Sequence, residues 1–116
     1  MLSLPLTKLK TGVYNLTFRQ GDGTPLFIVS PMVVYFHAAL GGFVINKDSA
    51  GHGITINAGP SNNSGVLQIE PADTAVLSLA PEGVAGMPCE LTLNNGVENY
   101  ELDRGSLNVI ADVGTP

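Results

Sequence analysis

The sequence predicts an all-β protein, an antiparallel, immunoglobulin-like β-sandwich of about seven or eight strands with one short helical turn near residues 71–77. Three observations carry this reading. The 14 glycines and 8 prolines punctuate the chain at intervals of roughly eight to twelve residues, the spacing of turns between short strands. The segments between them alternate apolar and polar residues with the period of two that a half-buried antiparallel strand requires. Finally, Asn95-Gly96 separates two alternating runs, the strongest short-range signal of a hairpin.

The elements follow in order. Residues 1–10 place Leu2, Leu4 and Leu6 at every second position and read in two ways. They form an edge strand of the main sheet, since termini are commonly tied into sheets. Alternatively they form an arm that contacts a neighbouring subunit, because an exposed edge templates strand addition. Residues 11–116 read as a single sandwich domain. Within residues 13–18, Tyr14, Leu16 and Phe18 point one way and Asn15 and Thr17 the other. Gly21-Asp22-Gly23 is a tight turn.

Residues 26–45 approach the length of a membrane-spanning helix. Pro31, His37 and the Gly41-Gly42 pair interrupt the run, and its β-branched and aromatic content suits two buried strands joined at Leu40-Gly41-Gly42. Ile54 and Ile56 flank Thr55, residues 58–65 are a polar loop, and Leu67 and Ile69 alternate with Val66, Gln68 and Glu70. Proline suits the first position of a helix and an acidic residue its first turn. Pro71 and Asp73 therefore predict one or two helical turns over 71–77, closed by a loop through Pro81, Gly83 and Gly86. Cys89, Leu91 and Leu93 alternate with Glu90, Thr92 and Asn94, as do Leu107 and Val109 with Ser106 and Asn108. With Asn95-Gly96 as a two-residue type I′ turn, Leu91 faces Tyr100 and Cys89 faces Leu102, and these four share the core side.

Size and charge narrow the function. A chain of 116 residues forms one modest core. Hydrophobic residues make up 44% and charged residues only 13%, which excludes a disordered acidic tail and leaves few charges to cover the surface, so other chains are expected to cover part of it. The net charge is -5, and the cations Lys8, Lys10, Arg19, Lys47 and Arg104 are scattered. Neither a nucleic acid nor an anionic membrane is an expected partner, because both call for clustered Lys and Arg. Residues 1–6 are too short and broken for a secretion signal. A single cysteine, Cys89, forms no internal disulfide and no cysteine-based zinc site.

A metal would need His37, His52 and a carboxylate such as Asp22 or Asp48, but no pair has ligand spacing, and no calcium loop occurs. Cys89 would need a histidine brought close in space to act as a nucleophile, whereas its inward strand position reads as packing. Asp103-Arg104 reads as a solvated charge pair, and Glu98 and Glu101 fall on opposite strand faces. No catalytic residue, metal site or cofactor is expected.

The order of the pieces resembles a family of small phage and prophage β-sandwich domains that includes the N-terminal domains of baseplate upper proteins. The residues that carry the likeness are LTFRQGDG (16–23), GHGITI (51–56), SGVLQIEPADTAVLSL (64–79) and PCELTLNNGVENYELDRGSLNVIADV (88–113). Where the family often has an Asp-Leu-Thr-Gly stretch this chain has Val33 to Gly42, and Cys89-Glu90 replaces a Tyr-Asp pair. The resemblance implies a non-enzymatic structural or assembly protein of the virion (baseplate, fibre or head–tail region), working through contacts with other virion proteins and with copies of itself. It implies residence in the virion, and in the host cytoplasm during assembly. The other expectation is a tail-tip module that binds a carbohydrate or receptor; it calls for aromatic residues at loop tips, and the chain has no Trp.

Overall fold

Period-two alternation sorts the side chains of each strand into an inner and an outer set, and burying the inner sets against each other builds the protein. The computed structural model describes residues 2–75 and 84–111. Eight strands and one helical turn are seen among them: β1 (Leu2–Thr7), β2 (Gly12–Thr17), β3 (Val33–Leu40), β4 (Phe43–Asp48), β5 (Ile54–Ile56), β6 (Ser64–Ile69), α1 (Pro71–Thr74), β7 (Val84–Asn94) and β8 (Asn99–Ile110). They form an all-β sandwich. A five-stranded sheet in the order β1-β8-β7-β3-β4 faces a three-stranded sheet in the order β2-β6-β5. Every pairing is antiparallel except β1 with β8, which is parallel.

The core lies between the sheets. Phe36, Ala38 and Val34 of β3, Met87 and Leu91 of β7, and Leu107 and Val109 of β8 meet Leu16 of β2, Leu67 and Ile69 of β6, and Phe18. Residues 13–18 sort as the alternation requires, with Leu16 and Phe18 buried and Asn15 and Thr17 exposed. At β1, Leu4 and Leu6 are buried against the same cluster and Leu2 packs on its rim. Within this chain β1 lies at the edge of the five-stranded sheet beside β8, and its leucines pack on the chain's own core.

Four sequence expectations need correction. Residues 26–32 are not strand; β3 begins only at Val33. Its burial alternates, as does that of β4, so both strands are half-buried. Gly86 is a residue of β7, not of a loop, while Val76, Leu77, Pro81 and Gly83 lie outside the described residues. The third correction is the β7–β8 hairpin. Asn94 pairs with Asn99 and Leu93 with Tyr100, enclosing a four-residue loop, and a bulge at Leu91/Thr92 then sets Leu91 opposite Asp103 and Cys89 opposite Gly105. A type I′ turn needs positive φ at both central positions, and here only Gly96 has it, at 97°. The asparagines decide the matter. Asn94 Oδ1 accepts from the N–H of Gly96 at 2.7 Å, and Asn95 Oδ1 from those of Val97 at 2.9 Å and Glu98 at 2.8 Å. Side-chain carbonyls thus satisfy a wider loop. Finally, one pair is parallel, because the first and last strands run side by side at the same sheet edge.

The helical turn is as expected at its start. Pro71 opens α1, and Asp73 accepts from the N–H of Glu70 at 2.7 Å. Thr74, fully buried, takes the N–H of Leu9 on its hydroxyl oxygen at 2.9 Å. Leu9 holds φ at 67°, a conformation costly for leucine, and this hydrogen bond anchors the β1–β2 turn there.

Candidate functional site

The residues able to do chemistry lie on strands, so register decides whether they meet. On the outer face of the five-stranded sheet, His37 of β3 stands beside Glu90 of β7, and Glu90 beside Arg104 of β8. These three, with Ala39, Pro88, Cys89 and Gly105, border a shallow depression of about 260 Å³. Cys89 is next to Glu90 in sequence, but its side chain turns to the opposite face, where it is 5% exposed and belongs to the core. A Cys–His couple therefore does not form. Burial, reinforced by the negative charge of Asp103, pushes the thiol pKa up, the reverse of what a nucleophile needs.

The histidines are engaged locally. His37 Nδ1 lies 2.5 Å from Asn46 Oδ1, and His52 Nδ1 lies 2.8 Å from Asp48 Oδ1. Partial burial works to raise the Asp48 pKa, but the hydrogen bonds from His52 and from the Ala50 N–H, with the charge of His52, outweigh it and hold the carboxyl low. Asp22 accepts from the Thr24 hydroxyl and N–H, which hold its pKa low too. Among the described residues, no three His, Cys, Asp or Glu side chains gather as a metal would require. The partner of Arg104 is Glu101, not Asp103: the guanidinium donates to Glu101 Oε1 from Nε at 2.9 Å and Nη2 at 2.5 Å. Asp103 instead takes the Arg104 N–H at 2.8 Å. Glu98 sits in the hairpin loop rather than on a strand.

A different kind of site forms at the end of the sandwich where the β2–β3 loop and the β7–β8 hairpin meet. The long loop is anchored rather than loose. Phe18 and Ile28 are buried, the Ile28 N–H donates to Asn62 O at 2.9 Å, and Asn62 Nδ2 donates to Ile28 O at 3.1 Å. Because Ile28 turns in, its neighbours Phe27 and Val29 turn out, with 48% and 52% of their surface exposed. Val97 at the hairpin tip is 86% exposed and Tyr100 45%. Beside Tyr100 opens a hollow of about 380 Å³ lined by Leu26, Met32, Leu93 and Tyr100 together with Arg19 and Glu101.

Sequence reasoning missed this end. The apolar run of residues 26–45 places Phe27 inside a strand, and a two-residue turn at Asn95-Gly96 places Tyr100 in the core. The signals that find them are Asn62-Asn63, whose backbone and side-chain groups tie the loop down, and the double asparagine at 94–95 that widens the hairpin.

The class these features define is an all-β sandwich that presents apolar side chains on well-anchored loops. A scan against protein-family models finds no match to the sequence, and a search of curated proteins finds none either. Among the described residues, no helix is long and apolar enough to cross a membrane, and residues 33–40 and 43–48 of the apolar run are strands.

Proposed function

We propose that this chain is a non-enzymatic structural or assembly protein of a phage or prophage particle, acting by contact with other virion proteins and with its own copies. The observation that carries the contact role is the exposed apolar set Phe27, Val29, Val97 and Tyr100 at one end of the sandwich. Exposed clusters of this kind mark protein interaction sites, and loops fixed on a rigid scaffold are where such sites arise. The strand order supports an immunoglobulin-like reading: β8-β7-β3-β4 facing β2-β6-β5 follows the variable-type arrangement, whose loops at one end bind partners. The virion setting comes from the sequence resemblance.

A second reading, a carbohydrate- or receptor-binding module, draws on the two aromatic residues at that end, Phe27 and Tyr100, since aromatic side chains anchor many interfaces. Co-sedimentation with assembled particles, together with light scattering at micromolar concentration, tests the first. Association that the double substitution Phe27→Ser and Val97→Ser weakens supports it. A strictly monomeric chain that joins no particle component overturns it, and a specific hit on a glycan array shifts the assignment to the second reading.

A further inference from the structure

An open sandwich leaves strand edges whose backbone N–H and C=O groups invite another strand, and proteins blunt such edges with charge, proline, bulges or brevity. Among the described residues, four edges are blunted. On β1, Pro5 has no N–H to offer and its carbonyl takes the Tyr14 hydroxyl at 2.6 Å. On β4 lie Lys47 and Asp48, and β5 has three residues. The part of β8 beyond β1 carries Glu101, Asp103, Arg104 and the bulge. The remaining edge, that of β2, reads Gly-Val-Tyr-Asn-Leu-Thr, with six regular residues, no charge, no proline and no bulge.

The hydrogen-bonding direction of that edge follows from the structure. Phe18 N donates to Asn63 O at 2.8 Å, so residue 18 and, by the period of two, Leu16 and Tyr14 turn their backbone groups toward β6. Val13, Asn15 and Thr17 turn theirs outward. Among the described residues, no strand is hydrogen-bonded to β2 on this side, though the Tyr14 hydroxyl reaches Pro5 of β1. Val13 is 60% exposed, and a hollow of about 240 Å³ lined by Leu2, Leu16, Leu91 and Leu102, with Arg19 and Asp103, opens beside the edge.

From this edge we infer that β2 pairs antiparallel with β2 of a second copy across a two-fold axis at Asn15. This deepens the contact-protein reading above and names one of its partners. The register is self-complementary. Val13 meets the partner's Thr17 and Asn15 meets the partner's Asn15, each as a hydrogen-bonded pair. Tyr14 meets the partner's Leu16 on the core side. Outer residues face outer residues, inner face inner, and no like charges oppose each other within the strand. A β-branched pair and an aromatic–aliphatic pair are favourable cross-strand neighbours, and a two-fold interface of this kind closes on itself. The interface is small and belongs to the transient class.

The experiment uses the full chain. A hydrogen-bonded antiparallel pair holds its Cα atoms about 5.5 Å apart, within disulfide reach. On a Cys89→Ala background, Asn15→Cys is oxidised beside the control Thr55→Cys, an exposed residue of β5. Faster dimer trapping at position 15 than at 55 is expected. In parallel, light scattering up to about millimolar concentration compares the natural chain with Asn15→Lys, whose like charges meet at the axis. The dimer constant is expected to weaken by at least about tenfold, with an unchanged circular-dichroism spectrum. A chain that is monomeric throughout, a dimer indifferent to Asn15→Lys, or equal trapping at both positions overturns the inference. If such a chain still joins particles, the pairing alone falls; if it joins none, the contact-protein reading falls too.

Discussion

Strand β8 is one strand with two halves that live differently. From Gly105 to Ile110 it is flanked on both sides, by β7 and by the parallel β1, and Leu107 and Val109 are fully buried. From Asn99 to Arg104 only β7 remains; Tyr100 is 45% exposed and Leu102 packs on the core only in part. The two halves do not differ in length or in being strand. They differ in whether a second strand lies alongside, and sequence composition follows suit. The covered half is SLNVI after its glycine, whereas the uncovered half holds Glu101, Asp103 and Arg104. Charge is placed where the edge is bare.

The largest expected effect tests this contrast directly. Leu107→Ala leaves a cavity in a fully buried site and is expected to cost about 4 kcal/mol. The same truncation at half-buried Leu102 is expected to cost about 1 kcal/mol. Urea unfolding of the two variants measures both, and equal losses would break the distinction between the halves.

Gly105 marks the boundary and gives the next largest effect. A Cβ there would lie 2.6 Å from the Leu2 carbonyl carbon and 2.7 Å from the Leu2 nitrogen, backbone atoms that cannot swing aside. Gly105→Ala forces β1 off at its first residue, at an expected cost of about 2 kcal/mol. Hydrogen exchange sharpens the result: amides of β1 should lose protection while those of β3, an interior strand between β7 and β4, keep theirs.

The contrast also explains what was legible in the sequence. Every inner residue read from alternation in β6 and β7 (Leu67, Ile69, Cys89, Leu91 and Leu93) is buried, because a period of two is a local property that each strand carries alone. Pairing is not local. Glycine's backbone freedom at Asn95-Gly96 signals a two-residue turn, whereas the Asn94 and Asn95 side chains capture the loop amides and widen it. That shift, with the bulge, moved Tyr100 and Leu102 from the core to its margin. The loop-end cluster stayed hidden because the exposure of Phe27 depends on Ile28 being fixed by Asn62, 34 residues away. The β2 edge is likewise invisible until the sheet order is known, since its six uncharged residues look like any interior strand.

The smallest effect concerns Cys89, which pairs with Gly105 where the halves join. Burial first, then the Asp103 carboxylate, raise its thiol pKa. A raised thiol pKa means that the unfolded chain loses its proton at lower pH than the folded one. The thiol's contribution to stability is therefore complete below the ordinary thiol range of about 8.5 and is lost as pH rises through the folded value. Cys89→Ala should flatten the alkaline limb of the stability curve above about pH 8.5. Asp103→Asn removes the charge but leaves the burial, so the thiol pKa should fall only part of the way. Iodoacetamide labelling of the folded chain should then accelerate by a small factor, far less than on unfolding. If Asp103→Asn labels as fast as unfolded protein, the burial of Cys89 beneath the junction is not what protects it.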